Sequence, residues 1–199
     1  MTSSTVKCHW LVSLGIDLHR IQFTQNMKTA KASLSIDEKI QYANVSKLSS
    51  EERFAIGTHL LIITFHPSRD EPLHGTYELT IDGLSFQEHR SQQNRRYARW
   101  SAHQNRQKFH VVLDKNSMDV FVNGAKTSAK HFFEGPDTVV SFQLVLREGH
   151  RVPCRIVTPG NTAPSHKLYV RDETWPLLID ENTGVFPARQ VLRGILTDD

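Results

Sequence analysis

The chain runs through one series of patterns twice, and that repetition limits what it can fold into. Trp10 opens the first series and Trp100 the second. Leu18-His19-Arg20-Ile21-Gln22-Phe23 follows the first tryptophan, and Phe109-His110-Val111-Val112-Leu113 follows the second. Each is succeeded by a short run ending in a turn, Leu34-Ser35-Ile36-Asp37-Glu38 and Met118-Asp119-Val120-Phe121-Val122-Asn123-Gly124. Each series closes on an alternating run, Tyr77-Glu78-Leu79-Thr80-Ile81-Asp82 and His166-Lys167-Leu168-Tyr169-Val170-Arg171. Few residues are identical, so the correspondence is one of pattern and order. Two copies of a scaffold that share no polar constellation point to binding surfaces rather than to one active site.

The local patterns are those of strands. Trp10, Val12 and Leu14 alternate with other residues, as do Ile21 and Phe23, and Phe142, Leu144 and Leu146. A period of two places such residues on one face of a strand. Asp82-Gly83 and Asn123-Gly124 are hairpin-turn pairs, and Gly135-Pro136-Asp137 and Pro159-Gly160-Asn161 mark further loops. Short strands broken by turns at spacings of roughly 8–15 residues are the signature of antiparallel sandwiches or barrels. Helix signals are sparse. Ser49–Phe54 reads as a single helical turn capped by Ser49, and Ser85–Arg90 as the start of a short helix joining the halves. The stretch after Glu181 has no counterpart in the first series; its Val185-Phe186 and Val191-Leu192 pairs are suited to docking on the core.

A chain of 199 residues holds one large or two small domains. The formal charge of +3 does not by itself indicate a nucleic-acid protein. The two cysteines, Cys8 and Cys154, fall in different halves, a poor placement for a structural bridge, so a reducing, cytoplasmic setting is expected. Cys8 is expected to be the more exposed thiol, Cys154 a half-buried strand residue. The segment Met1–Lys7 lacks the apolar stretch of a secretory signal, and Leu60–Ile63 is too short to span a bilayer.

Candidate chemistry is thin. His59, His66 and His74 cluster in sequence but lack the ligand spacing of a zinc site. Asp114, Asp119, Glu134, Asp137 and Glu148 are the acids a sugar-cleaving sandwich would draw on, with Asp119 or Glu148 favoured for that role. Asp119, between Met118 and Val120, is placed in a strand with a structural role. No Gly-x-Ser-x-Gly or Gly-x-Gly occurs. The strongest local composition signal is the acid-free stretch from His89 to Leu113, with Arg90, Arg95, Arg96, Arg99, Arg106 and Lys108 interleaved with Tyr97 and Trp100. Arg95, Arg96 and Arg99 are the candidate partner-binding residues, reading segment 90–108 as an anion-binding strip for an acidic partner. Alternation would place Arg96 on the same side of the strand as Trp100. The plainer reading is a solvated linker and first strand.

Val112-Leu113-Asp114-Lys115-Asn116-Ser117-Met118-Asp119-Val120-Phe121-Val122-Asn123-Gly124 resembles the hallmark stretch of the Fas apoptotic inhibitory molecule family: an apolar pair, an acid, Lys, two variable residues, Met-Asp-Val, an aromatic, one residue and Asn-Gly. The order around it is also similar, through Trp10 and Val12, His19–Phe23, Phe54-Ala55-Ile56-Gly57, Tyr77–Gly83, Trp100 and His166–Val170, so that the resemblance covers residues 8–179. Departures are Val122 where many members have Cys, the loop Arg147–Pro153, Asp37-Glu38 at a turn that usually contains Gly, and the tail after Asp180. These features are those of a distant member. The resemblance implies two tandem β-sandwich domains and no enzymatic activity. It also implies a cytosolic protein that antagonises death-receptor signalling and suppresses stress-induced aggregation. It carries no catalytic residues with it.

The expectation is therefore an all-β chain of two antiparallel β-sandwich domains from an internal duplication, at residues 1–92 and 97–180, with a tail at 181–199. It is expected to be a non-enzymatic, cytoplasmic protein-binding regulator without cofactor or metal. Its partners are signalling proteins or misfolded clients, not a membrane and not nucleic acid. Strand edges also allow a weak homodimer.

Overall fold

The computed structural model describes residues 5–46, 50–69, 75–104, 107–147, 149–160, 165–171, 173–175 and 185–187. Four antiparallel sheets account for almost all of them. The first runs β1 (Thr5–Leu14), β2 (Asp17–Asn26), β3 (Lys31–Ile36) and β4 (Lys39–Ser46), each hydrogen-bonded to the next, with β18 (Val185–Pro187) added beside β1. The second runs β5 (Glu51–Ile56), β6 (His59–Pro67), β7 (Gly75–Ile81) and β8 (Leu84–Ser85). After helix α1 (Phe86–Arg96) the third sheet runs β9 (Tyr97–Gln104), β10 (Gln107–Asp114), β11 (Val120–Val122) and β12 (Ala125–Lys126). The fourth runs β13 (Lys130–Glu134), β14 (Asp137–Val145), β15 (Arg151–Thr158), β16 (Lys167–Val170) and β17 (Glu173–Trp175). Apart from β18 all are meanders: neighbours in sequence are neighbours in the sheet, the simplest outcome when short loops join alternating runs.

The chain divides into two compact units. One comprises Met1–Leu14, Leu18–Ser91 and Asn182–Asp199, the other Gly15–Asp17 and Gln92–Glu181. In the first, Cys8, Trp10, Val12 and Leu14 of β1, Ile21 and Phe23 of β2, and Leu34 of β3 meet Leu61 and Ile63 of β6 and Tyr77, Leu79 and Ile81 of β7 in one buried cluster. In the second, Trp100, Phe109, Val111, Leu113 and Val120 meet Val140, Phe142, Leu144, Cys154, Ile156, Leu168 and Val170. Along β1, β7, β14 and β15 buried residues recur at every second position, so each unit is a two-layer sandwich whose sheets cover one another's apolar faces.

A polar device recurs at the turns. Asp37 and Glu38 between β3 and β4 both have positive φ, 50° and 66°. Asn123 and Gly124 between β11 and β12 do as well, 49° and 80°. So do Asp82 and Gly83 between β7 and β8, 51° and 83°. Two positive-φ residues form the hairpin turn whose twist matches that of the strands. In each case the first turn residue also clamps the strand two places back in the meander. Asp37 accepts the Arg20 N–H (2.8 Å), Asp82 that of Leu60 (2.9 Å) and Asn123 that of His110 (2.8 Å). The backbone N–H of each turn residue returns a bond to that same residue's carbonyl, at 2.9, 2.9 and 2.8 Å. Asp37 and Asp82 further bind His19 and His59, at 2.7 and 2.6 Å. Asp37-Glu38 thus makes a glycine-type turn without glycine, because the side-chain clamp holds Asp37 in the left-handed region.

Helix α1 begins in a reciprocal cap. The Ser85 hydroxyl accepts the Glu88 N–H (3.3 Å) while the Glu88 carboxylate accepts the Ser85 N–H (3.1 Å). Arg95 and Arg96 occupy its last turn, where a cation complements the helix dipole.

Several sequence expectations are corrected. Glu51–Phe54 lie in strand β5, not a helical turn, because pairing with β6 overrides the helix preference of Glu-Glu-Arg; Ser49 falls outside the described residues. Arg96 ends α1 rather than lying in a strand beside Trp100. Asp119 precedes β11 instead of lying in it, since Met118 turns left-handed at φ 59°. Lys167–Val170 matches Tyr77–Ile81 at its end as well: each runs into a positive-φ residue, Asp82 (51°) and Arg171 (55°), whose N–H bonds a carbonyl of the preceding strand, that of Leu60 and that of Pro153. Val185-Phe186 does pair with β1, opposite Cys8 and Lys7; Val191-Leu192 falls outside the described residues.

The packing separates two leucines sharply. Leu144 is fully buried at 0% exposure and Leu60 is 47% exposed. Leu144→Ala is expected to cost about 2–5 kcal/mol. Leu60→Ala is expected to stay within about 0.5 kcal/mol of the parent. Urea unfolding of the two variants measures both.

Candidate interaction surface

Strand β13 is the longest strand with no buried or half-buried residue among those described. All five of its residues are exposed, including Phe132 at 41% and Phe133 at 79%. Among the described residues it pairs with β14 alone, at the edge of its sheet. The hairpin β13–β14 closes through Gly135, φ 59°, and Pro136. In such a two-residue hairpin the flanking Glu134 and Asp137 exchange backbone hydrogen bonds, so Glu134, Phe132 and Lys130 direct theirs to β14. The N–H and C=O groups of His131 and Phe133 therefore point along the open edge. Side chains alternate in the same way. His131 and Phe133 lie opposite Val140 and Thr138 on the face that lower down forms the core. Lys130, Phe132 and Glu134 lie on the outer face, with Phe132 opposite the buried Val139.

No expectation from sequence singled out β13, although a signal was present. Phe132 and Phe133 are adjacent, and adjacent residues of a strand face opposite ways. A five-residue edge strand with two adjacent phenylalanines must therefore present one of them away from its own core.

The candidate arginines do not share one surface. Arg95 is exposed on the last turn of α1. Arg96 donates Nε and Nη2 to one oxygen of Asp114, at 3.1 and 3.0 Å. Arg99 is buried at 5% exposure, donating to the Gly15 carbonyl (2.7 Å) and to Gln93 (3.2 Å) and stacking 4.9 Å from the centre of the Tyr97 ring. Burial alone would raise the pKa of Asp114, but the Asn116 N–H and the Arg96 guanidinium outweigh it and hold the carboxyl below the usual range. This pair pins the hallmark stretch to the end of α1, an architectural role.

The other candidates are also occupied. His59 binds Asp82 and His66 binds Glu78 (3.1 Å); His74 falls outside the described residues. Among the described residues no group of His, Cys, Asp and Glu has the geometry to hold a metal ion. Asp119 pairs with Lys126 at 2.8 Å, Asp137 accepts the Gly160 N–H at 3.2 Å, and Glu134 lies 4.0 Å from Arg155; Glu148 is outside the described residues. No helix among the described residues is long and apolar enough to cross a membrane.

Cys8 is buried, not exposed, because it shares the inward phase of β1 with Trp10 and Val12. Burial pushes its thiol pKa up to about 12 and that of Cys154 to about 11. Neither is a reactive thiolate at neutral pH. A thiol reagent at pH 8 is expected to label neither cysteine rapidly in the native protein and both after denaturation; fast labelling of native Cys8 would contradict this placement.

Comparison with known proteins agrees with the resemblance noted in the sequence. The family model of Fas apoptotic inhibitory molecule matches residues 6–177. The chain belongs to that family. Fas apoptotic inhibitory molecule 1 of Bos taurus is 25% identical over 175 residues, 86% of this chain and 86% of the relative. The Homo sapiens protein of the same name is 26% identical over 137 residues, 68% of this chain and 76% of the relative, and that of Mus musculus 27% over the same length and shares. At such identities, this Fas apoptotic inhibitory molecule homologue is a distant member of the family.

In the second unit His110 is also held far from its normal range. Burial, ahead of the Arg99 and Lys108 charges, pushes the His110 ring down to about 4, with Asp17 opposing weakly. The folded state thus resists a proton that the unfolded chain accepts near pH 6.5. This contribution is complete above pH 6.5 and is lost as pH falls towards 4. Between pH 7 and pH 5 it amounts to up to about 2 kcal/mol. Denaturant unfolding is expected to show a shallower loss over that interval in His110→Gln than in the parent.

Proposed function

We propose that this protein is a non-enzymatic regulator that works by binding other proteins, protecting cells from apoptotic signalling and from stress-induced aggregation. The observation that carries this reading is the open edge of β13, with two exposed phenylalanines and the outward backbone groups of His131 and Phe133. An unpaired strand edge binds extended segments through main-chain hydrogen bonds, largely without regard to their sequence. The same groups drive aggregation when two partly unfolded chains meet. A folded protein that offers one short edge can cap such a segment and stop its growth. Membership of the family supports the anti-apoptotic part, and its relatives carry that role in their name. The occupied carboxylates and buried thiols favour binding over catalysis.

Purified, reduced protein is expected to suppress light scattering by a heat-stressed thermolabile enzyme at sub-stoichiometric ratios, relative to an inert protein. Phe133→Lys is expected to lose most of that suppression while keeping its thermal midpoint. Undiminished scattering with the parent protein counts against the protective reading and leaves a dedicated signalling partner, to be sought by affinity capture.

A further inference from the structure

The sequence of β13 is complementary to itself. Lys130-His131-Phe132-Phe133-Glu134 carries a cation at one end, an anion at the other and Phe132 at its centre. We propose that the open edge of β13 pairs antiparallel with β13 of a second copy of this chain, about a twofold axis at Phe132.

Three independent features meet in that one register. The first is charge. A twofold axis at Phe132 sets Lys130 opposite Glu134 of the second copy, and Glu134 opposite its Lys130, two opposite-charge cross-strand pairs. Glu134 has one ion-pair partner in its own chain, Arg155 at 4.0 Å, and its side chain stays 53% exposed and open to a second cation. The second is hydrogen-bond phase. Antiparallel residues alternate between pairs that exchange two backbone bonds and pairs that exchange none. The outward groups of β13 are those of His131 and Phe133, and this axis places His131 opposite Phe133 of the second copy. Both such pairs are then bonded, giving four hydrogen bonds, while Lys130, Phe132 and Glu134 keep theirs to β14. An axis one residue away would put Phe133 opposite itself, Phe132 opposite Glu134 and Lys130 opposite nothing in the strand.

The third is apolar contact. Phe132 meets its own copy at a non-bonded position, where facing side chains approach most closely. On the other face Phe133 lies beside His131 of the second copy. The 79% exposure of Phe133 and 41% exposure of Phe132 mark the surface such a contact would cover. Neither β12 nor β5 offers this combination. β12 is two residues long, and β5 carries Glu51 and Arg53 bound to each other at 2.8 Å. The interface joins two five-stranded sheets into one and abolishes both β13 edges. Being short and partly polar, it belongs with weak, concentration-dependent dimers. It goes beyond the capping role: the dimer is a resting form in which the edge is occupied, and the monomer is the form with a free edge.

The test is sedimentation of the full-length, reduced protein over a range of concentrations, with exchange of the His131 and Phe133 amides followed in parallel. A reversible monomer–dimer equilibrium is expected, with both amides slowed as dimer forms. Lys130→Glu places like charges at both pairs and is expected to weaken association on the order of tenfold. Glu134→Lys is expected to do the same. The double variant Lys130→Glu/Glu134→Lys restores opposite charges and is expected to recover the parent association. All three alter exposed positions, so unchanged thermal midpoints verify the fold. A monomer at every concentration overturns the proposal. So does a dimer indifferent to Lys130→Glu, which would lie elsewhere, or a double variant that fails to recover. Slowing of the two amides only when a stressed client is added would assign the edge to clients alone. The scattering assay reads client protection separately. A monomeric Lys130→Glu variant that still protects upholds the capping role, and a dimeric parent that does not protect removes that role without touching the dimer.

Discussion

Each of the four meanders has one apolar face, and covering that face with the meander beside it is the constraint from which the rest of the structure follows. Trp10, Ile21 and Leu34 are useful only if Ile63, Leu79 and Ile81 lie over them, and Trp100, Phe109 and Val111 only if Phe142, Cys154 and Ile156 do. Because the period of a strand is two, a slip of one residue would turn a whole row to solvent. The Asp37, Asp82 and Asn123 clamps guard against that slip. Each ties a turn to one fixed residue on the strand beyond its neighbour, through both side chain and backbone. Register is thus secured by polar bonds at the turns and exploited by apolar burial between them.

The same architecture decides where partners can bind. A meander leaves two edges per sheet, and proteins that stay soluble must guard them. Here the guards differ. β8 and β12 are short, and β5 alternates exposed charged residues with half-buried ones. β13 has only terminal charges around an aromatic centre. Basic residues in the acid-free stretch are engaged instead in holding the fold: Arg99 inside, Arg96 on Asp114, and Arg95 at the end of α1, where the helix dipole favours a cation.

Much of this was legible in the sequence because alternation and turn chemistry are local. The inward sets Trp10/Val12/Leu14, Ile21/Phe23 and Phe142/Leu144/Leu146 can be read directly, as can the Asp82-Gly83 and Asn123-Gly124 turns. The errors came where a distant partner decides. Glu51–Phe54 is helix-prone in isolation and becomes a strand only because β6 lies beside it. Cys8 looks exposed from its position near the chain's start, yet its phase with Trp10 carries it inside. Arg99 looks like a surface cation until the Gly15 carbonyl and Tyr97 ring are seen around it. The β13 edge was missed for the same reason. Two adjacent phenylalanines announce that one faces outward, but only the sheet order shows that the strand has no second neighbour among the described residues.

The pairing of β18 with β1 bears on how the molecule comes into being. Val185-Phe186-Pro187 lies against Val6, Lys7 and Cys8, so the first sheet takes its outermost strand from a segment synthesised after all the strands of the second unit. A growing chain emerging from the ribosome can therefore assemble β1 to β8 early but leaves the β1 flank bare until Val185–Pro187 has been made. During that interval the nascent first unit carries an extra sticky margin that the finished protein has covered. Shielding of that margin falls to whatever attends the growing chain, and the emergence of Val185–Pro187 is the event that seals it.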